Sequence, residues 1–171
     1  ANHEKYSGKK LQYFDPELKE HYTPYVVETS IGLDRMFLAV FSHALQEETL
    51  EDGSSRTVLR LPAVLAPTKA AVLPLIKRDG LPELAHQIVE ELKWDFNVQY
   101  DEKDAVGRRY RRQDAAGTPI CITVDHQTLE DQTVTLRYRD SMEQERVPVP
   151  EVAGRIHQEV DMRQWLRRME D

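Results

Sequence analysis

From residue 58 onward the chain alternates short apolar runs with stretches of helical spacing, and few architectures accept that rhythm. The runs AAVLPLIK (70–77), NVQYDE (97–102), PICITVDH (119–126), TVTLRYRD (133–140) and QERVPV (144–149) read as strands. Between the first two, Gly80 and Pro82 announce a helix with Leu84, Ile88 and Leu92 on one face. AVGRRYRRQDAAG (105–117) reads as a second helix closed by Gly117. A last amphipathic helix from Glu151 carries Val152, Ile156 and Val160 and continues toward Trp165. Strands interleaved with helices predict an α/β fold, a mixed, roughly five-stranded sheet flanked by helices. Pro74 inside the first run hints at an edge strand. TVTLRYRD and QERVPV alternate apolar with polar, as antiparallel neighbours do.

The first third has a different texture. Tyr25–Ser30 reads as a strand, and a helix from about Asp34 to Gln46 carries Leu33, Phe37, Phe41 and Leu45 every fourth residue as a buried stripe. EETLEDGSSRT (47–57) is acidic and then Gly/Ser-rich, which reads as a linker. The expected organisation is residues 1–46, a linker at 47–57, and a second domain at 58–171.

Composition narrows the function classes. A chain of 171 residues with 40% hydrophobic and 31% charged residues has enough apolar content for a core. No apolar run reaches the ~18 residues a membrane helix needs. A net charge of -7 argues against indiscriminate polyanion binding, DNA included, so any nucleic-acid contact must come from a local basic patch. The single cysteine, Cys121, allows no internal disulfide and fits a reducing cytoplasm; in its apolar strand it reads as a buried thiol. The six histidines show no paired metal spacing, and no metal site is expected.

Two clusters carry chemistry. In ETSIGLDR (28–35), Glu28 and Ser30 share a strand face, and a carboxylate beside a hydroxyl suits an ammonium group. Gly32 lets a ligand approach the backbone, the following helix start leaves amides free, and Arg35 offers planar donors to phosphate or a flat ring. The same residues also suit a capped helix start, with Asp34 favouring the N-terminus and Arg35 paired outward. In GRRYRR (107–112), four arginines flank Tyr110, and Arg108 and Arg112 lie four apart. They form either a basic surface for RNA or a solvated helix laced by pairs such as Asp104–Arg108. Arg137 and Arg139 face the same way on an alternating strand, toward RNA or as its wet face. His126 beside Asp125 reads as a turn histidine, and Trp165 as a packing anchor.

The segment YFDPELKEHYTPYVVETSIGLDR (13–35) resembles the third sequence motif of class II aminoacyl-tRNA synthetases, and more closely the dimeric, single-chain glycyl-tRNA synthetase family. The resemblance continues through LRLPAVLAPTKAAVLPLIKRDGLPE (59–83), YDEKDAVGRRYRRQDAAGTPICITVDHQTLEDQTVTLRYRD (100–140) and MEQERVPV (142–149). Thr29 stands where the family pattern has proline, and Ile31 where a small or aromatic residue is usual. The resemblance implies that Glu28, Thr29, Ser30, Ile31 and Gly32 line a glycine pocket, with Glu28 facing the ammonium. It implies that Gly32, Leu33, Asp34 and Arg35 lie along ATP, with Arg35 the catalytic arginine on the nucleotide. It implies that Arg108, Arg109, Arg111 and Arg112 meet the tRNA anticodon.

Motifs 1 and 2 of that class are not found, and the first forty residues leave no room for its antiparallel sheet. The expectation is therefore a C-terminal part of the enzyme: a strand–helix remnant of the catalytic core, then an anticodon-binding domain, inactive alone. The whole enzyme would be a cytoplasmic homodimer that joins glycine to tRNA(Gly) with ATP and Mg²⁺. Two alternatives stay open: a non-catalytic anticodon-type RNA-binding module, or a prolyl- or threonyl-type synthetase.

Overall fold

The computed structural model describes residues 2–167 and residue 169, so the expected domain ends at residues 1 and 171 lie outside the described residues. The chain divides into two compact units, Ala1–Met36 and Phe37–Asp171.

The first unit holds helix α1 (Asn2–Ser7) and a small antiparallel hairpin of β1 (Tyr13–Asp15) and β2 (Glu20–Tyr22). Asp15 shapes its turn by accepting the amides of Glu17 and Leu18 at 2.8 and 3.1 Å. Tyr13 stands opposite Tyr22 with ring centroids 5.7 Å apart. Residues 23–32 have no regular structure, so the strand expected at Tyr25–Ser30 is not formed. Among the described residues no strand pairs with it, and an isolated strand has no ladder for its backbone groups. Helix α2 (Leu33–Ala44) begins in this unit and ends in the next. Its apolar stripe forms, with the Phe37 and Phe41 rings stacked at 5.7 Å, but Leu33, Phe37, Phe41 and Leu45 are exposed rather than buried.

In the second unit the chain leaves α2 directly into β3 (Leu45–Thr49), which pairs antiparallel with β4 (Ser55–Leu59). The expected linker at 47–57 is thus mostly a hairpin. Its Gly/Ser-rich text supplies the turn: Leu50 N–H donates to Ser54 O at 2.8 Å, Gly53 N–H donates to Leu50 O at 2.9 Å, and Gly53 takes φ 79°.

The main sheet follows: β5 (Ala70–Pro74), helix α3 (Leu81–Leu92), β6 (Val98–Tyr100), helix α4 (Val106–Ala116), β7 (Ile120–Val124), the short α5 (His126–Asp131), β8 (Thr133–Tyr138) and β9 (Gln144–Pro148). Helices α6 (Val152–Val160) and α7 (Met162–Arg167) close the chain, the break falling at the extended Asp161. The strand order is β6-β5-β7-β8-β9. β5 pairs parallel with β6 and β7; β8 and β9 add antiparallel. The five-stranded mixed sheet is therefore as expected, but β5 is interior. Pro74 is accommodated because it is the strand's last residue.

Period-two alternation gives the sheet two chemically different faces. On one, Ala70, Val72, Ile120, Ile122, Val124, Val134 and Leu136 pack with α3 and α6 through Leu81, Ala85, Ile88, Leu92, Val152 and Ile156. Burying each such aliphatic side chain stabilises the fold by roughly 1.5–3 kcal/mol. On the other face, Ala71, Leu73 and Cys121 form a smaller cluster with Tyr110 of α4. Burial pushes the Cys121 thiol up to about 12, in keeping with an inert core group. Trp94, just past α3, is 83% exposed, and Trp165 of α7 is half-buried, so neither tryptophan belongs to the core.

α4 ends on Gly117 at φ 81°, a left-handed cap that receives no penalty without a Cβ. A Cβ there would also meet the Leu59 carbonyl oxygen at 3.2 Å and Leu59 Cδ2 at 3.1 Å. The Gly117→Ala variant is expected to lose about 1–3 kcal/mol of stability, read as a lower urea midpoint with an unchanged slope.

Candidate functional site

The residues of ETSIGLDR are all exposed. Among the described residues Glu28 and Arg35 make no ion pair, so the outward-paired arginine of a simply capped helix is not formed. The Arg35 side chain folds back over Gly32: a Cβ built on Gly32 would lie 3.7 Å from Arg35 Cδ. Met36 N–H donates to Gly32 O at 3.0 Å, so the helix begins at the glycine, with Leu33 and Asp34 in its first turn. Thr29 and Ile31 lie in the irregular segment before it. The structure sets the Arg35 side chain against Gly32, while Glu28 and Ser30 do not sit on the strand that was to align them.

The second cluster is resolved in detail. Asp114 of α4 is fully buried and accepts both guanidinium arms of Arg137 from β8, Nη1 to Oδ1 at 2.8 Å and Nη2 to Oδ2 at 3.0 Å. Arg56 of β4 donates Nη1 to the same Oδ2 at 3.0 Å and to the Arg139 carbonyl at 3.0 Å. Its other side meets Glu48 of β3 at 2.7–2.8 Å, and Glu48 also pairs with Arg60. Burial would raise the Glu48 carboxyl, but the hydrogen bonds and charges of Arg60 and Arg56 outweigh it and hold the group below its usual range. Burial likewise opposes charge on Arg137, and Asp114 reverses the sign, leaving that guanidinium above its ordinary value.

Neither Arg137 nor Arg139 is on a wet face. Arg139, 2% exposed, donates to Gly117 O at 2.9 Å and Leu61 O at 2.7 Å and pairs with Asp140. Both are covered because β4 packs on α4 over that side of the sheet. Arg109 is a second correction. Expected on the RNA-facing surface, it is 2% exposed and donates to the carbonyls of Pro74, Leu75 and Asp101. Burial pulls it below the ordinary arginine value, Asp101 opposing, and its Nε has no partner among the described residues. Arg112 remains outside but is held: it pairs with Asp101 at 2.9 Å and Asp104 at 3.2 Å and donates to Lys103 O.

That leaves Arg108 and Arg111. Neither makes an ion pair among the described residues, and both line a hollow with Gly107, Tyr110, Arg137, Met142 and Gln144. Tyr110 is fixed there from two sides. Its hydroxyl shares a hydrogen bond with Thr123 Oγ1 at 2.6 Å, and the Arg137 guanidinium lies 4.8 Å from its ring centroid. Met142, in the β8–β9 turn, adopts φ 59°, a left-handed conformation a methionine enters at a cost. Sequence reasoning missed Met142 and Gln144. The register that sets Arg137 opposite Gln144 was within reach, because the two alternating runs were already paired.

His126, by contrast, contacts Asp79 at 3.1 Å at an exposed helix start. Its neighbour Asp125 caps α5 and accepts from Arg146 at 2.5 and 2.8 Å, which holds its carboxyl below the usual range despite partial burial. Among the described residues no group of three or more His, Cys, Asp or Glu could hold a metal ion. No helix there is long and apolar enough to cross a membrane.

The second unit is thus an α/β domain with a mixed sheet, one apolar face, one face knitted by buried ion pairs, and an arginine-lined hollow. Residues 69–159, more than half of the sequence, match the family described as the anticodon binding domain, and the chain belongs to that family. It is 52% identical over 153 residues to a glycine–tRNA ligase of Chlorobaculum tepidum, covering 90% of this chain and 32% of the relative. To a glycine–tRNA ligase of Treponema denticola it is 51% identical over 165 residues, covering 94% of this chain and 37% of the relative. The chain thus spans about a third of the length of these curated relatives. The fold is shared with the RNA binding domain of threonyl-tRNA synthetase from Cryptosporidium parvum, at TM-score 0.53 and 23% identity, over 58% of this chain and 25% of that one.

The Asp114 centre generates a stability test. Asp114→Ala leaves the buried Arg137 guanidinium without its carboxylate and takes one of two carboxylates from Arg56, and is expected to cost about 3–5 kcal/mol. A denaturation midpoint unchanged from the parent chain would contradict this account of the inner face.

Proposed function

We propose that this chain is part of a glycine–tRNA ligase and that its mixed-sheet domain holds the anticodon arm of tRNA(Gly) at the Arg108–Arg111 hollow. The observation that carries the reading is selective pairing: of the four arginines in GRRYRR, one is buried, one is ion-paired, and two make no ion pair among the described residues and line the hollow that Tyr110 also lines. Guanidinium planes and a ring at one place suit unstacked bases with their phosphates, and single-stranded loops are where proteins read RNA sequence. The identity of about half to full-length glycine–tRNA ligases supports the choice of glycine over proline or threonine.

In the whole enzyme, glycine and ATP would meet residues 28–35. Glu28 and Ser30 face the amino acid, with Thr29, Ile31 and Gly32 beside it, and Gly32, Leu33, Asp34 and Arg35 lie along the nucleotide. What supports this is the resemblance of the segment and the unpaired state of Glu28 and Arg35. Their role is orientation and charge stabilisation at the reacting phosphate. The whole enzyme's reaction would use Mg²⁺ with its ATP. The homodimer and the cytoplasmic location belong to the same proposal.

Arg108→Ala and Arg111→Ala are each expected to weaken tRNA binding by roughly tenfold and to flatten its salt dependence by about one phosphate contact. Arg112→Ala is expected to do much less. Filter-binding titrations across a salt series check this, and equal affinities for all variants would move the interface elsewhere. Glycine-dependent pyrophosphate exchange is expected to be absent from the 171-residue chain alone. Exchange above background would overturn the division of labour drawn here.

A further inference from the structure

The arginine-lined hollow has an acidic neighbour. A second hollow is lined by Glu48, Leu50, Glu51, Asp52, Asp140 and Met142, with Arg56 and Arg60 beside them, and Met142 borders both. Most of its charges are neutralised: Glu48 by Arg56 and Arg60, Asp140 by Arg60 and Arg139. Glu51 and Asp52 are not; among the described residues neither makes an ion pair.

We propose that Glu51 and Asp52, on the turn of the β3–β4 hairpin, act as a specificity filter beside the arginine-lined hollow, opposing polyanions that approach through phosphate alone and leaving access to RNA that also offers bases. The proposal rests on the RNA-binding reading above and adds to it a repulsive element that the anticodon-binding role does not require.

Three observations support it. The turn is tight, closed by the Leu50–Ser54 backbone bond at 2.8 Å and by Ser54 donating its amide and hydroxyl to Asp52 Oδ1 at 2.9 and 2.6 Å. The hairpin is anchored to the helix that carries Arg108 and Arg111, because Arg56 donates to Asp114. The carboxylates therefore keep their place relative to the arginines. Finally, Asp52 senses Arg111: the Ser54 hydrogen bonds are the main cause of its lowered carboxyl, and the Arg111 charge adds to them.

Exposed charges act on one another within about 10 Å at 0.1 M salt, so a phosphate seated at Arg111 meets this negative turn. Each phosphate held there is bound less tightly than two free arginines would hold it. RNA that stacks a base on Tyr110 has contacts that this repulsion does not weaken. Discrimination by an unfavourable charge against the wrong partner is a general route to specificity.

The test uses the full chain and two ligands, inorganic polyphosphate, which offers phosphate without bases, and tRNA(Gly). Asp52→Asn keeps the oxygen that Ser54 donates to, and Glu51→Gln keeps length. The E51Q/D52N variant is expected to bind polyphosphate roughly three- to tenfold more tightly at about 50 mM salt, the gain shrinking as salt rises. Adding Arg111→Ala is expected to cancel that gain, while affinity for tRNA(Gly) changes less than for polyphosphate. No gain in polyphosphate affinity, an equal gain for tRNA(Gly), or a gain that survives Arg111→Ala, overturns the filter. Failure of the unmodified chain to bind tRNA(Gly) would overturn the RNA-binding reading instead, and the polyphosphate comparison would still decide whether the turn repels phosphate. Matching thermal midpoints confirm that the variants are folded.

Discussion

The inner face of this domain depends on one carboxylate. Asp114 is out of water, and two guanidiniums from separate strands converge on it. Two charges of one sign and one of the other would leave a surplus in a low-dielectric interior, and Glu48 on the far side of Arg56 supplies the balance. The consequence is architectural. β3–β4 is tied to α4, and α4 to β8, through groups that tolerate little displacement before a buried charge is left unpaired. The opposite face needs no such device, because α3 and α6 cover it with aliphatic side chains.

That arrangement explains which arginines remain available. Charge is common in this chain, but its disposition is not interchangeable. Arg56, Arg109, Arg137 and Arg139 are internal and satisfy carboxylates or backbone carbonyls. Arg137 serves twice: it fixes Asp114 in the plane of its guanidinium and lies over the Tyr110 ring. The ring is thus held by Thr123 at its hydroxyl and by a cation at its face. Preorganised side chains lose less entropy on binding.

Much of the second unit was legible from pattern. Strand spacing, the helix over 105–117 with its glycine end, and the antiparallel pairing of the last two strands are all local signals, and local signals survive folding. The losses were of a different kind. Alternation placed Arg137 and Arg139 on one face correctly, but exposure of that face depends on β4 and α4, which lie far away in sequence. Residues 47–57 look like a linker in text because turn residues dominate their composition, although they make most of a hairpin in which Arg56 is buried, with Val58 and Leu59 buried just beyond. Arg109 and Arg111 look alike in text; only the helix's rotation against the sheet separates an internal donor from a free one. For residues 28–35, spacing supported two readings, and the resemblance alone favoured one of them. The strand that should have aligned Glu28 with Ser30 is not formed, since strand pairing cannot be read from one segment.

The placement of the two tryptophans has an optical consequence. Trp94 projects into solvent beyond α3, with Lys93 Nζ 5.7 Å from its ring centroid, and Trp165 lies on the last helix. Indole emission from this chain therefore reports those two places. A fluorescence curve can register loss of α7 while the sheet is intact, or stay flat while the Asp114 centre comes apart. The aromatic group that sits against that centre is Tyr110, so near-ultraviolet dichroism in the tyrosine band is the signal that follows it.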